Sequence, residues 1–199
     1  MEFRFAYAPR AMKDNNYFNI VLESRYRFSD KFSLTTEVFT QHEHNQIGYA
    51  FEREANGDPI VGYRDFTETQ TVLSGIYNFT SRLNVTMRAR HYWNKVIYNS
   101  FYNVDNEGYH IPKADFISGK DENYNAFNLD AFLTWDFRLG SRMIFGWKNW
   151  LGNSYAINGI DNTNYLKNLK NMFTESHGNE FTLRFIYFLD FNQLRKKKD

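Results

Sequence analysis

Apolar residues recur at every second position over long stretches of this chain, and that rhythm limits its fold more than any other feature. Period two is the mark of a β-strand, where successive side chains point to opposite faces. Between 18 and 28 the even positions carry Phe18, Ile20, Leu22, Ser24, Tyr26 and Phe28, against Asn19, Val21, Glu23, Arg25 and Arg27. Between 127 and 138, Phe127, Leu129, Ala131, Leu133, Trp135 and Phe137 alternate with Asn128, Asp130, Phe132, Thr134, Asp136 and Arg138. The stretches 83–94 and 180–190 repeat the pattern, and weaker versions lie at 2–8, 32–41, 69–79 and 142–150. Together they predict an all-β chain with about eight antiparallel, up-and-down strands.

The predicted connections alternate in length. Ser29-Asp30-Lys31, Thr80-Ser81-Arg82 and Leu139-Gly140-Ser141 are short polar breaks suited to tight hairpins. The stretches 42–66, 97–126 and 151–179 read as long polar loops, the first with Asn56-Gly57-Asp58-Pro59 as a turn at its tip, and a shorter connection runs from Pro9 to Asn16. Within the last long loop, Leu166, Leu169, Met172 and Phe173 are spaced for one face of a short helix over 164–173. Tyr26-Arg27-Phe28, Tyr77-Asn78-Phe79 and Trp135-Asp136-Phe137 each place an aromatic–polar–Phe triplet just before a short turn. Short turns at one end, long loops at the other and aromatic rings at matching strand ends are the pattern of a transmembrane β-barrel. Tyr26, Phe28, Tyr77, Phe79, Trp135, Phe137 and Tyr187 are the expected girdle at one membrane interface.

Composition narrows the alternatives. There is no cysteine, which excludes a disulfide scaffold, a thiolate metal site and a cysteine nucleophile. The 24 Lys+Arg against 23 Asp+Glu argue against a general nucleic-acid binder. Mean hydropathy is −0.64, and no apolar run reaches the length of a membrane helix. A β-barrel escapes that test, because its strands average polar with apolar positions. Met1 is followed at once by a strand-like stretch, with no leader pattern. The expectation is a mature or truncated piece of an exported protein, with 1–192 as barrel and 193–199 as a solvated basic tail.

A soluble sandwich also alternates, so the content of each face decides. In a membrane barrel the aromatic face meets lipid. The lumen then holds Arg4, Glu23, Arg25, Arg27, Glu37, Arg88, Arg90, Asp130, Asp136, Arg138 and Arg184, with opposite signs pairing across it. The mixture of Phe, Trp, Tyr and Leu suits lipid better than a close-packed core. Eight strands close a small barrel with a filled interior, or form part of a larger one.

Phe127 through Arg142, continuing in Phe145-Gly146-Trp147-Lys148-Asn149, and Asn179 through Asp190 carry a more specific likeness. They resemble the C-terminal end of a Bacteroidetes-type family of large outer-membrane proteins. Its members have an N-terminal family-9-like carbohydrate-binding domain and a C-terminal β-barrel domain of unknown function. The hairpin Trp135-Asp136-Phe137-Arg138-Leu139-Gly140-Ser141 is most similar to the family's penultimate turn. The resemblance implies an outer-membrane location and a link to polysaccharides. It carries over no sugar site, because that domain is absent here. The ending, Phe181-x-Leu183-x-Phe185-x-Tyr187-x-Leu189-x-Phe191, is similar to the terminal signal read by the barrel assembly machinery, but eight further residues follow it.

Motifs for chemistry are sparse. His42-Glu43-His44 places two imidazoles on one strand face, a metal pair without a third clustered ligand. Ser24, Ser33 and Ser74 lie in strands with no histidine companion, and neither a Gly-x-Ser-x-Gly elbow nor a glycine-rich phosphate loop is present. No catalytic residue, metal site or cofactor is therefore expected. Tyr98, Tyr102, Tyr109, Tyr124, Tyr155 and Tyr165 recur in the predicted loops, where exposed tyrosine stacks on sugars or partner proteins. The expected function is an outer-membrane anchor or conduit. Its partners would be outer-membrane lipid, the assembly machinery and glycans at the external loops, with no nucleic acid. A barrel-embedded hydrolase and a soluble β-barrel with the aromatic face inward are the competing readings.

Overall fold

The computed structural model describes residues 1–9, 14–115, 119, 121–156 and 165–189, without the side chains of 51, 52 and 153–156. Its elements are β1 (Glu2–Pro9), β2 (Asn16–Arg27), β3 (Phe32–Arg53), β4 (Pro59–Thr80), β5 (Leu83–Val104), β6 (His110–Pro112), β7 (Glu122–Arg138), β8 (Ser141–Ala156), α1 (Tyr165–Met172) and β9 (Gly178–Ile186). The strands form one antiparallel sheet in the order β1-β2-β3-β4-β5-β7-β8-β9, with β6 paired to the far end of β5. The all-β, up-and-down expectation is met, with nine strands rather than eight.

The sheet is open. β1 pairs only with β2 and β9 only with β8, so the closed barrel expected from the alternation is not formed among the described residues. Short turns join β2 to β3, β4 to β5 and β7 to β8 at one end. In the first, Ser29 Oγ accepts from the Lys31 and Phe32 N–H groups. In the third, Gly140 takes φ +74°, a left-handed conformation that glycine adopts without steric cost. Successive turns are staggered: Ser33, beside the first, pairs with Ile76, and β4 runs on to Thr80.

β3, β4 and β5 are 22 residues each, far longer than expected. Most of 42–66, read as loop, is strand, as are 97–104, 110–112 and 122–126 of the stretch 97–126 and 151–156 of the stretch 151–179. For 42–66 and 97–104 the reason is a parity change. Asn45 sits at φ +50° in a bulge between Glu43 and Gln46, and the β4–β5 register shifts between Tyr63 and Arg64, opposite Asn99. An extra residue reverses which positions share a face. Past each bulge the strand continues, but the period-two pattern restarts out of phase.

Candidate functional site

The register sorts the strand side chains into two faces. On the apolar face, Tyr26 pairs with Leu34, Phe32 with Tyr77 and then Val85, Leu133 with Phe145, and Phe145 with Leu183. At the short-turn end its rings form two unbroken chains. Tyr26 meets Phe28 at 4.7 Å, Phe28 stacks on Phe32 at 5.0 Å, Phe32 faces Tyr77 at 6.3 Å and Tyr77 meets Phe79 at 4.9 Å. Farther along, Trp135 contacts Phe137, which stacks on Phe185 and Tyr187. All seven residues singled out as a girdle fall in this row, and Phe32 and Phe185 complete it. From Trp135 to Phe127 the apolar band runs about 26 Å along β7, at about 3.3 Å per residue. Much of this face is bare, with Phe3 63%, Phe181 66% and Leu183 69% exposed.

The opposite face carries the charges. Glu23 pairs with Glu37 in the β2–β3 register, Ser74 with Arg88, Arg88 with Asp130, and Ile144 with Arg184. Several charges meet partners there. Arg4 bonds Glu23 at 2.8 Å, Arg90 is ion-paired with Asp130, and Arg142 holds Asp136 at 2.5 Å. Arg27 instead reaches Asp30 in its own turn, and Arg138 donates to the Tyr187 hydroxyl.

Beyond the apolar band, two polar networks fix the long end. At the paired bulges Asp65 Oδ1 accepts from the Asn45 N–H at 3.2 Å and the Asn99 amide at 3.0 Å, and lies 2.7 Å from His44 Nδ1. Burial alone would raise the Asp65 carboxyl, but these neighbours outweigh it and lower its pKa. The second network seats α1 on the apolar face of β5 and β7. Asn168 Oδ1 accepts from the amides of Asn123 (2.9 Å) and Asn125 (3.0 Å), all three being buried. Tyr165 donates to Thr71 and packs against His91 and Trp93. The helix therefore seats on Tyr165, Asn168 and Met172, whereas Leu166 and Phe173, expected on the packed face with Leu169 and Met172, are exposed. Asn164, its expected first residue, lies outside the described residues.

The tyrosines expected in loops divide. Tyr98 stacks on Phe101 beside the small core of Ala50, Ile60 and Phe101, with Arg64 over its ring. Tyr102, Tyr63 and His110 cluster, with the Tyr63 hydroxyl 3.0 Å from His110 Nδ1. Tyr109 is exposed and Tyr124 packs edge-on to Tyr92, while the Tyr155 side chain lies outside the described residues. His42 and His44 do not converge: His42 bonds Thr67 and His44 bonds Asp65. Among the described residues there is no metal-competent cluster of acidic, histidine or cysteine side chains and no serine bonded to a histidine. The asparagine pair under α1 had a signal in the sequence, since Asn123 and Asn125 occupy positions in phase with Phe127 and Leu129.

A family described as a domain of unknown function, DUF5916, matches residues 1–198. The chain belongs to this family. No curated protein and no solved structure matches the chain. The DUF5916 match spans the staggered sheet, its aromatic row and its polar face.

Proposed function

We propose that this DUF5916 chain forms part or all of an outer-membrane β-barrel that serves as anchor or conduit. In this reading the aromatic row marks the inner membrane interface, and the long strands present an external platform linked to carbohydrate binding or uptake. The observation that carries the reading is the apolar face. The run from Phe127 to Trp135 is about the 9–11 residues that a tilted membrane-spanning strand needs, and the rings gather at the short-turn end. No second sheet layer covers it among the described residues, so a soluble sandwich has no partner for this face.

Three further features support the proposal. The stagger of the short turns is the register shear that barrel closure requires. The unpaired edges of β1 and β9 are costly in hydrocarbon, so closure would come from β1 meeting β9 or from further strands. The polar end of the apolar face, at Thr71, His91, Asn123 and Asn125, is where α1 lies. That placement sets an outer limit to the band, and exposed Leu166 and Phe173 would rest at the interface beside Lys167 and Lys170. Outer-membrane lipid and the assembly machinery are the partners in this reading, and glycans are the ligands at the Tyr63–Tyr102–His110 end.

The test is export of the chain behind a leader in a Gram-negative host. Recovery in the carbonate-resistant outer-membrane fraction, with heat-modifiable gel migration, is the expected outcome. A detergent-independent soluble product would refute it.

A further inference from the structure

On the polar face one register row crosses four strands as Arg25 on β2, Thr35 on β3, Ser74 on β4 and Arg88 on β5. Two long cations flank two short hydroxyls, and the adjoining Ser33, Arg90 and Asp130 help to enclose a depression of about 480 Å³. Arg90 is engaged by Asp130, and Arg27, one pair nearer the turn, is engaged by Asp30. Arg25 and Arg88 make no ion pair or hydrogen bond among the described residues, and neither do the hydroxyls of Thr35 and Ser74. Asp130, opposite Arg88 in the same row, is the acid that lines the depression, and its carboxylate is taken by Arg90; the Glu23–Glu37 pair lies in the next row toward the long end, so Arg25, Arg88 and Arg90 outnumber the one lining acid.

We propose that this row is a binding trough for a solute bearing at least two oxyanion groups, carboxylate or phosphate. A guanidinium fork matches either oxyanion with two parallel hydrogen bonds, and lysine could not reproduce that geometry. Arg25 and Arg88 stand three strand spacings apart, about 14 Å between backbones. That separation suits anionic groups at two places on one extended molecule, such as an acidic oligosaccharide. Thr35 and Ser74 lie between the forks as uncharged donors that let the ligand approach the sheet closely. The inference rests on register and side-chain partners alone, so it holds whether this face lines a lumen or meets water.

Titration calorimetry of the folded full chain tests it, with trigalacturonate, a linear inorganic polyphosphate and neutral maltotriose as probes. At least one anionic probe binds and maltotriose does not. Binding by the first alone assigns carboxylate, by the second alone phosphate, and by both the shared chemistry. Arg25→Gln and Arg88→Gln each weaken binding about tenfold or more, whereas Arg53→Gln, at the far long end of β3, leaves it unchanged. Ser74→Asp supplies an internal carboxylate to the same arginines and abolishes binding while the strand circular dichroism persists. Equal affinity for the neutral probe, no binding by either anion, or unaltered binding by Ser74→Asp overturns the proposal.

Discussion

Arginine placed at Ala131 reads the assignment of the two faces directly. Ala131 lies on the apolar face between Met87 and Trp147. It is midway between Phe127 and Trp135, about 13 Å along β7 from either end of the band at about 3.3 Å per residue. A lipid-facing arginine at the bilayer midplane costs about 2–4 kcal/mol, and the cost falls toward the interfaces. With 1.36 kcal/mol per decade, that is a loss of roughly 30- to 1,000-fold in the folding equilibrium. Leu133→Arg, two residues nearer the aromatic row, should cost less. Thr134→Arg is the control, since it projects to the polar face beside Asn84 and Ile144 and near Asp136. The assay is reversible urea unfolding in lipid vesicles followed by tryptophan fluorescence. The reasoning fails if Ala131→Arg and Thr134→Arg are tolerated alike, or if the order of their costs is reversed.

Other expectations follow from single contacts. Asn168→Ala leaves the Asn123 and Asn125 amides without their shared acceptor; about 1–3 kcal/mol per orphaned group should detach α1, seen as faster amide exchange over 165–172. Gly62→Ala drives a methyl group into the Tyr98 ring, whose hydroxyl accepts from Arg64, and should destabilise the long-end core by about 1–3 kcal/mol by urea titration. Because the folded pKa of Asp65 is lowered, its stabilisation of the bulges is complete above the unfolded carboxylate range near pH 4, and is lost as pH falls through the lower folded value. Amide exchange at 43–46 and 63–66 should therefore accelerate in acid, and Asp65→Asn should remove that pH dependence.

Much of the sheet could be read from the sequence because one physical rule governs it. From Phe18 to Arg27 and from Phe127 to Trp135 no register shift interrupts the strand, so alternation reports faces faithfully. The rule fails at Asn45 and Asn99, where an extra residue reverses parity and turns strand into what looks like polar loop. Polar residues at this end also serve packing: the phase of β7 puts Asn123 and Asn125 on the apolar face, but hydropathy does not reveal that they and Asn168 are buried. For α1, spacing found a helix and placed Met172 on its seated side, but not Tyr165 or Asn168, because hydrogen bonds from the strands to Asn168 turn Leu166 outward. The charged row from Arg25 to Arg88 depended on strand pairing, and no local motif encodes which residues of β2 and β5 share a row.

The absence of cysteine opens a direct test of the central claim. Single cysteines introduced in turn from Phe127 to Thr134 can carry a nitroxide label in the vesicle-bound protein, with no native thiol to remove. A lipid-facing apolar face predicts that labels at 127, 129, 131 and 133 collide with oxygen and are shielded from a water-soluble nickel chelate. Labels at 128, 130, 132 and 134 should show the reverse. Odd positions shielded from both probes, with the protein remaining in the aqueous phase, would place the aromatic face in a protein core and contradict the account.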